Sequence, residues 1–91
     1  MRIRWTPAAA DDLEHIAKYL QENNPTLARS TVLELYDAAQ SLKQFANRGR
    51  IGRIAGTREL VISSLPYVIV YQVAGQNVSI VRVVHSSEDW P

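Results

Sequence analysis

The 91-residue chain has no cysteine. Disulfides, thiolate metal sites and cysteine nucleophiles are removed together, and a reducing compartment is the natural setting. No apolar run approaches the roughly 20 residues that span a bilayer. The start, Met1-Arg2-Ile3-Arg4-Trp5-Thr6-Pro7, lacks the apolar stretch of a secretory leader. The expectation is a cytoplasmic protein with no membrane role. Neither charge dominates: 10 Lys and Arg face 9 Asp and Glu, a formal net charge of +1. Total charge therefore does not announce a nucleic-acid binder, and any basic patch has to be local. Metal chemistry is short of ligands, because His15 and His85 are not paired at ligand spacing and Asp11 and Asp12 sit at a helix start, where they complement the dipole. No metal and no cofactor is expected. Gly-x-Ser-x-Gly is absent, and the glycines around Arg50 are not followed by Lys-Ser or Lys-Thr, which excludes serine-hydrolase and phosphate-loop chemistry.

What is present is enough apolar material, 46% of residues, for one core, and residues 1–91 are expected to form a single domain. Arg2-Ile3-Arg4-Trp5 alternates as a short strand does. Thr6 can cap a helix that has Pro7 at its first position, where a missing N–H costs nothing. Ala9, Leu13, Ile16, Ala17 and Leu20 then recur on one helical face until Asn23-Asn24-Pro25. Asn24 and Pro25 repeat the start chemistry, and Ala28, Val32, Leu35, Ala39 and Leu42 form a second stripe. Phe45 extends that stripe to a stop at Asn47-Arg48-Gly49, with glycine in a left-handed conformation. Two helices so closely linked should pack antiparallel.

Three β-rich runs follow, at residues 59–62, 67–73 and 78–85, and read as an antiparallel meander. The expected fold is α+β: a short N-terminal strand, an antiparallel helix pair and a three-stranded meander, with the helices on one face of the sheet. A symmetric turn at Ala74–Asn77 sets Val73 opposite Val78, Tyr71 opposite Ile80, Ile69 opposite Arg82 and Tyr67 opposite Val84. Val68, Val70, Val81 and Val83 then share the other face with Gln72, Ser79 and His85. Both faces are mostly apolar, so the one turned away from the helices should need a partner to cover it.

Two features could carry chemistry. His85 closes the last strand and could act as a general acid or base; the alternative is a ring that hydrogen-bonds the C-terminal tail. Arg48, Arg50, Arg53 and Arg58 place four guanidinium groups within eleven residues, interleaved with Gly49, Gly52 and Gly56. Such a cluster can grip phosphates or carboxylates, or it can be a solvated loop whose arginines pair with the protein's own acids.

The ordered set Trp5-Thr6-Pro7-Ala8-Ala9 with Asp12-Leu13 and Ile16, Asn24-Pro25, Gly49-Arg50-Ile51-Gly52-Arg53, Gly56-Thr57-Arg58-Glu59-Leu60, Pro66 to Tyr71, and Arg82-Val83-Val84-His85 with Trp90-Pro91 resembles the RelE/ParE toxin superfamily. The match runs along essentially the whole chain. It implies the toxin of a bacterial type II toxin–antitoxin module, forming a hetero-oligomer with a small antitoxin encoded beside it. RelE-like relatives are ribosome-dependent mRNA endonucleases with an arginine directly after the tyrosine that opens the third strand; here that position is Val68. A second basic residue expected after the last strand falls at Glu88. ParE-like relatives instead poison DNA gyrase, and they share the Tyr67–Tyr71 strand pattern and the short tail after Val84-His85.

The resemblance thus favours an inhibitory binding protein acting on gyrase. The alternatives are a ribosome-dependent endoribonuclease acting on mRNA, with His85 transferring a proton and Arg58 or Arg82 holding phosphate, and a non-toxic relic that only binds an antitoxin. Contacts to antitoxin or target are expected at Arg48, Arg50, Arg53, Arg58, Val68, Val70, Val81, Val83 and Trp90, with the tail Ser86–Pro91 as part of the target surface.

Overall fold

A computed structural model describes all residues, 1–91. The chain forms β1 (Arg2–Trp5), α1 (Pro7–Asn23), α2 (Pro25–Ser41), β2 (Arg50–Ile51), β3 (Arg58–Val61), β4 (Tyr67–Ala74) and β5 (Asn77–His85). The architecture is α+β, as the sequence indicates, but the sheet has five strands in the order β1-β5-β4-β3-β2. β1 lies parallel to β5, with Ile3 beside Val78 and Trp5 beside Ile80. The remaining pairs are antiparallel, and the additional strand β2 is a two-residue piece of the Arg-Gly stretch.

α1 starts as its residues dictate. Thr6 Oγ1 accepts the Ala9 N–H at 3.2 Å, and Pro7 occupies the first helical position. The same hydroxyl donates towards the carbonyls of Ile80 and Val81, at 2.9 and 3.1 Å, which ties the helix start to β5. Asn24 closes α1 through its own N–H to the Leu20 carbonyl and opens α2, but its side chain makes no capping bond and accepts from Thr26 Oγ1 instead. The helices fold back along one another, so that Ala10, Leu13 and Ala17 of α1 and Val32 and Tyr36 of α2 line one groove.

Three expectations are corrected here. Asp11 and Asp12 lie beyond the first turn of α1, and Asp12 serves as an acceptor for β5 rather than as a dipole partner. α2 ends at Ser41, so Phe45 is 60% exposed and not part of the buried stripe. Gly49 has no positive φ; a β-carbon there would sit 2.7 Å from Tyr71 Cε1, so this glycine is required by close approach and not by a left-handed cap. Gly75, with φ of 59°, supplies the turn between β4 and β5.

The turn fixes Val73 opposite Val78 and Tyr71 opposite Ile80, as expected. Beyond that point a β-bulge intervenes: Val70 pairs with Arg82, Ile69 with Val83, Val68 with Val84 and Tyr67 with His85. Val81 is the extra residue on β5, so every later side chain changes face. Val83 therefore joins the helix-side core with Ala9, Leu35, Ala39, Leu42, Leu60, Tyr67, Ile69, Tyr71, Val78 and Ile80. Each buried Val, Leu or Ile in that set is worth about 1.5–3 kcal/mol of transfer free energy. Val84 takes the place expected for Val83 on the outer face, where it clusters with Val68 and Val70. That face is not bare: Val81 and Trp90 of the C-terminal tail pack on it, and Val68, Val70 and Val84 are buried.

Candidate functional site

The segment between α2 and β3 is organised by two residues of the sheet. Tyr71, fully buried, donates its hydroxyl to the Ala46 carbonyl at 2.7 Å and accepts the Gly49 N–H at 2.8 Å. Glu59 is only 3% exposed and receives Arg50 through Nη2 at 2.9 Å and Nε at 3.3 Å, and the Arg53 backbone N–H at 3.1 Å. Burial alone would raise the Glu59 pKa. The Arg53 amide, the Arg50 hydrogen bond and the charge of both guanidinium groups outweigh it and hold the carboxyl below its ordinary value.

The basic cluster is thereby largely spent within the chain. Arg58 donates to the carbonyls of Gly49 and Asn47, Arg48 to Ser41 Oγ, and Arg53 to the Trp90 carbonyl. Arg50 remains 58% exposed, but its charge is balanced by Glu59. Of the four, only Arg50 meets an acid of the chain; Arg48, Arg53 and Arg58 meet a serine hydroxyl and main-chain carbonyls instead.

Arg82 is likewise held. Its Nε donates to Asp12 Oδ2 at 2.6 Å and its Nη2 to Oδ1 at 3.1 Å, while the Val83 N–H reaches the same Oδ2 at 2.9 Å. The hydrogen bond to Asp12 raises the Arg82 pKa against a smaller opposing effect of burial. The guanidinium also lies 5.3 Å from the Trp90 ring centroid, a cation–π contact that helps seat the tail on the outer face.

His85 stands at the end of β5 with its edge to Tyr67, ring centroids 5.5 Å apart. Its Nδ1 accepts the Ser87 N–H at 3.1 Å and lies 2.7 Å from Ser87 Oγ, so a neutral ring carries its proton on Nε2. The ring hydrogen-bonds the tail, which is the second of the two roles considered for it. A cavity of about 180 Å³ lies beside it, lined by Arg50, Arg53, Glu59, Val61, Val68, Val84, His85, Ser86, Glu88 and Trp90. Arg58 and Arg82, the cations expected to serve beside His85 in RNA cleavage, do not line it. Two arginines and two glutamates surround the space, and their formal charges cancel.

The unpartnered apolar surface is elsewhere. The groove between the helices, about 400 Å³, is lined by Trp5, Ala10, Leu13, Glu14, Ala17, Val32 and Tyr36, all apolar or aromatic except Glu14. Tyr36 is exposed on its α2 side, and Trp5 stacks on Tyr36 with ring planes 3° apart. The helical stripes supply Leu13, Ala17 and Val32 to this groove, but Ala10 and Tyr36, which complete it with Trp5 and Glu14, lie outside them. The available signal was that Val32 and Tyr36, four residues apart, widen the apolar face of α2 beyond what one sheet contact needs.

The profile of the family described as "ParE toxin of type II toxin-antitoxin system, parDE" matches residues 3–90. The candidate toxin Y4kP of Sinorhizobium fredii is 38% identical over 90 residues, 99% of this chain and 93% of that protein. Toxin RelE2 of Caulobacter vibrioides is 41% identical over 86 residues, covering 94% of this chain and 96% of the relative. Among solved structures, a chain of the chromosomal ParDE TA system from P. aeruginosa superposes with a TM-score of 0.87 at 28% identity, over 93% of this chain and 95% of that one.

Proposed function

This chain belongs to the ParE toxin family of type II toxin–antitoxin systems, and from that premise we propose that it acts by inhibiting DNA gyrase and not by cutting messenger RNA. The observation that carries this reading is the charge balance beside His85. A nuclease must stabilise the additional negative charge of a phosphoryl transition state, which calls for cations free to meet it. Around His85, Arg50 is matched by buried Glu59, Arg53 is bound to the Trp90 carbonyl, and Glu88 adds a further negative charge. Arg82, the other cation on β5, is bound to Asp12. Val68, at the position where RNA-cleaving relatives carry arginine, is buried under the tail.

The target contact is assigned to the tail Ser86–Pro91 and the exposed arginines Arg50 and Arg53 beside it, with Arg48 further off at the end of α2. The antitoxin contact is assigned to the helix-pair groove, whose dimensions and lining suit the apolar side of an amphipathic helix. Purified protein decides the target. Inhibition of gyrase supercoiling with transcripts left intact is the expected result, and His85→Ala should retain it once corrected for stability. Cleavage of transcripts on translating ribosomes, abolished by His85→Ala, would replace this reading with the endonuclease; absence of both activities would leave an antitoxin-binding relic.

A further inference from the structure

The tail beyond β5 is tied to the sheet region through the main chain of its first residue alone, the Ser86 N–H reaching the Pro66 carbonyl at 2.8 Å. Further on, the main chain bonds only locally: Glu88 N–H to the His85 carbonyl and Trp90 N–H to the Glu88 carbonyl, both at 2.9 Å. Three side-chain contacts hold the end down. Trp90 packs with Val81 on Val68, Val70 and Val84, Arg53 donates to the Trp90 carbonyl, and the Arg82 guanidinium lies 5.3 Å from the indole centroid. Lifting the end therefore breaks no hydrogen bond of the sheet. The seat is also a poor fit. Trp90 Nε1 is the one buried side-chain polar atom of the chain without a hydrogen-bond partner, so the indole N–H has given up water and received nothing for it. Trp90, Val61, Val68 and Val84 all border the cavity of about 180 Å³, so the ring does not cover these valines completely.

From these observations we propose that the tail is a strap, and that Trp90 leaves its seat to become the anchor by which gyrase is held; the inference rests on the gyrase reading above. A large ring with a single polar handle is the kind of side chain that dominates an interface once its pocket and its partner are supplied. The target has three things to provide: an apolar pocket for the ring, an acceptor for the indole N–H, and a carboxylate for Arg53. That guanidinium is released from the Trp90 carbonyl and has no ion pair within the chain. Arg82 stays with Asp12 when the strap lifts, so the fold keeps its tie between α1 and β5. Val68, Val70 and Val84 lose their cover in the lifted state, which keeps the strap down in the free chain and makes its release depend on the target.

The test uses the full chain labelled with 5-fluorotryptophan in a Trp5→Phe background, which leaves Trp90 as the sole tryptophan, and reads magnetic resonance alongside inhibition of gyrase supercoiling. Adding gyrase should move the Trp90 fluorine signal and the methyl signals of Val68, Val70 and Val84, which lose the ring current of the indole. Replacing the Trp90 indole by its benzothiophene isostere removes the N–H and little else. Stability of the free chain should hold or rise, while the inhibitory concentration should rise by about three- to tenfold. Arg82→Met takes the cation off the ring; it should increase the solvent exposure of Trp90 in the free chain and lower the inhibitory concentration, because less of the chain has to be released before it binds. Asp12→Asn disturbs the same ion pair but leaves the cation over the ring, and should do neither. Gyrase inhibition with unmoved Trp90 and valine signals, or an isostere as potent as the parent, overturns the strap and leaves the target reading intact. A less stable isostere chain overturns it too, since the N–H would then have a partner in its seat. A parent chain that leaves gyrase uninhibited overturns both.

Discussion

Asp12 and Arg82 are 70 residues apart in the chain and joined at two points, Nε to Oδ2 at 2.6 Å and Nη2 to Oδ1 at 3.1 Å. The pair fastens α1 to β5 just beyond the bulge, and the Val83 N–H on Asp12 Oδ2 makes the carboxylate a three-bond node. The pairing takes the charge of Arg82 from the sheet surface and gives it to the fold.

Asp12→Ala leaves the Arg82 guanidinium and the Val83 amide without their acceptor, and should destabilise by about 2–3 kcal/mol, since hydrogen bonds to charged groups are the stronger kind. Asp12→Asn keeps an acceptor for Val83 and should cost less. Urea unfolding of Asp12→Ala, Arg82→Ala and the double variant should give a coupling on the order of 1 kcal/mol or more; additive losses would show that the two residues act separately.

Glu59 predicts an acid limb in stability. Its carboxyl is held below the ordinary value of 4.5 in the folded chain, so the folded state binds that proton more weakly than the unfolded state does. The resulting stabilisation is fully present above the unfolded value and is lost as pH falls through the folded one. Unfolding free energy should be level at neutral pH and decline below about pH 5. Glu59→Gln should be less stable at pH 7 and show a shallower decline in acid, measured by denaturant unfolding across that range. An unchanged slope would place the acid sensitivity in other carboxylates.

Tyr71 and Gly49 make a third case, in which a side chain of the sheet fixes a loop. Tyr71→Phe strands the Gly49 N–H and the Ala46 carbonyl, at a cost of about 1–3 kcal/mol. Gly49→Ala drives a β-carbon to 2.7 Å from the Tyr71 ring and 3.0 Å from the Glu59 carbonyl carbon. Overpacking of that kind costs about 1–3 kcal/mol. Both variants should lower the midpoint of thermal unfolding, and hydrogen exchange should quicken first in residues 46–53.

These cases show where the sequence is readable. Thr6-Pro7 announces α1 because capping is local chemistry, and the turn at Gly75 fixes Tyr71 opposite Ile80 because a hairpin sets its own register. The bulge at Val81 is not readable: with Val81, Val83 and Val84 all apolar, alternation offers no mark of where the pleat slips, and Val83 and Val84 exchange faces unnoticed. The partners of the arginines are equally hidden, since Asp12 reaches Arg82 only after the chain has folded, and the tail that puts the Trp90 carbonyl beside Arg53 is a tertiary placement. The same holds for β1, whose parallel position beside β5 joins the two ends of the sequence. What composition did carry was the excess of apolar surface; its location on the helix pair required the packed structure.

If the antitoxin takes that groove, as proposed, capture and folding rest on different residues. Val32 and Ala17 are half-buried and Tyr36 is exposed on the wall of the helix groove, whereas Val68, Val70 and Val83 are buried in the two cores. Val32→Asp and Tyr36→Ala should therefore leave a cooperatively folded chain, within about 1 kcal/mol of the parent for the exposed site, yet weaken antitoxin binding by tenfold or more, as loss of central apolar anchors does. Val70→Ala should do the reverse, opening a cavity that costs about 1–3 kcal/mol while antitoxin affinity of the folded fraction stays near the parent's. Isothermal titration alongside chemical unfolding reads both quantities on each variant. If instead Val70→Ala released the antitoxin and the groove variants held it, the captured surface would lie on the outer face of the sheet, with Trp90 displaced from it in the complex.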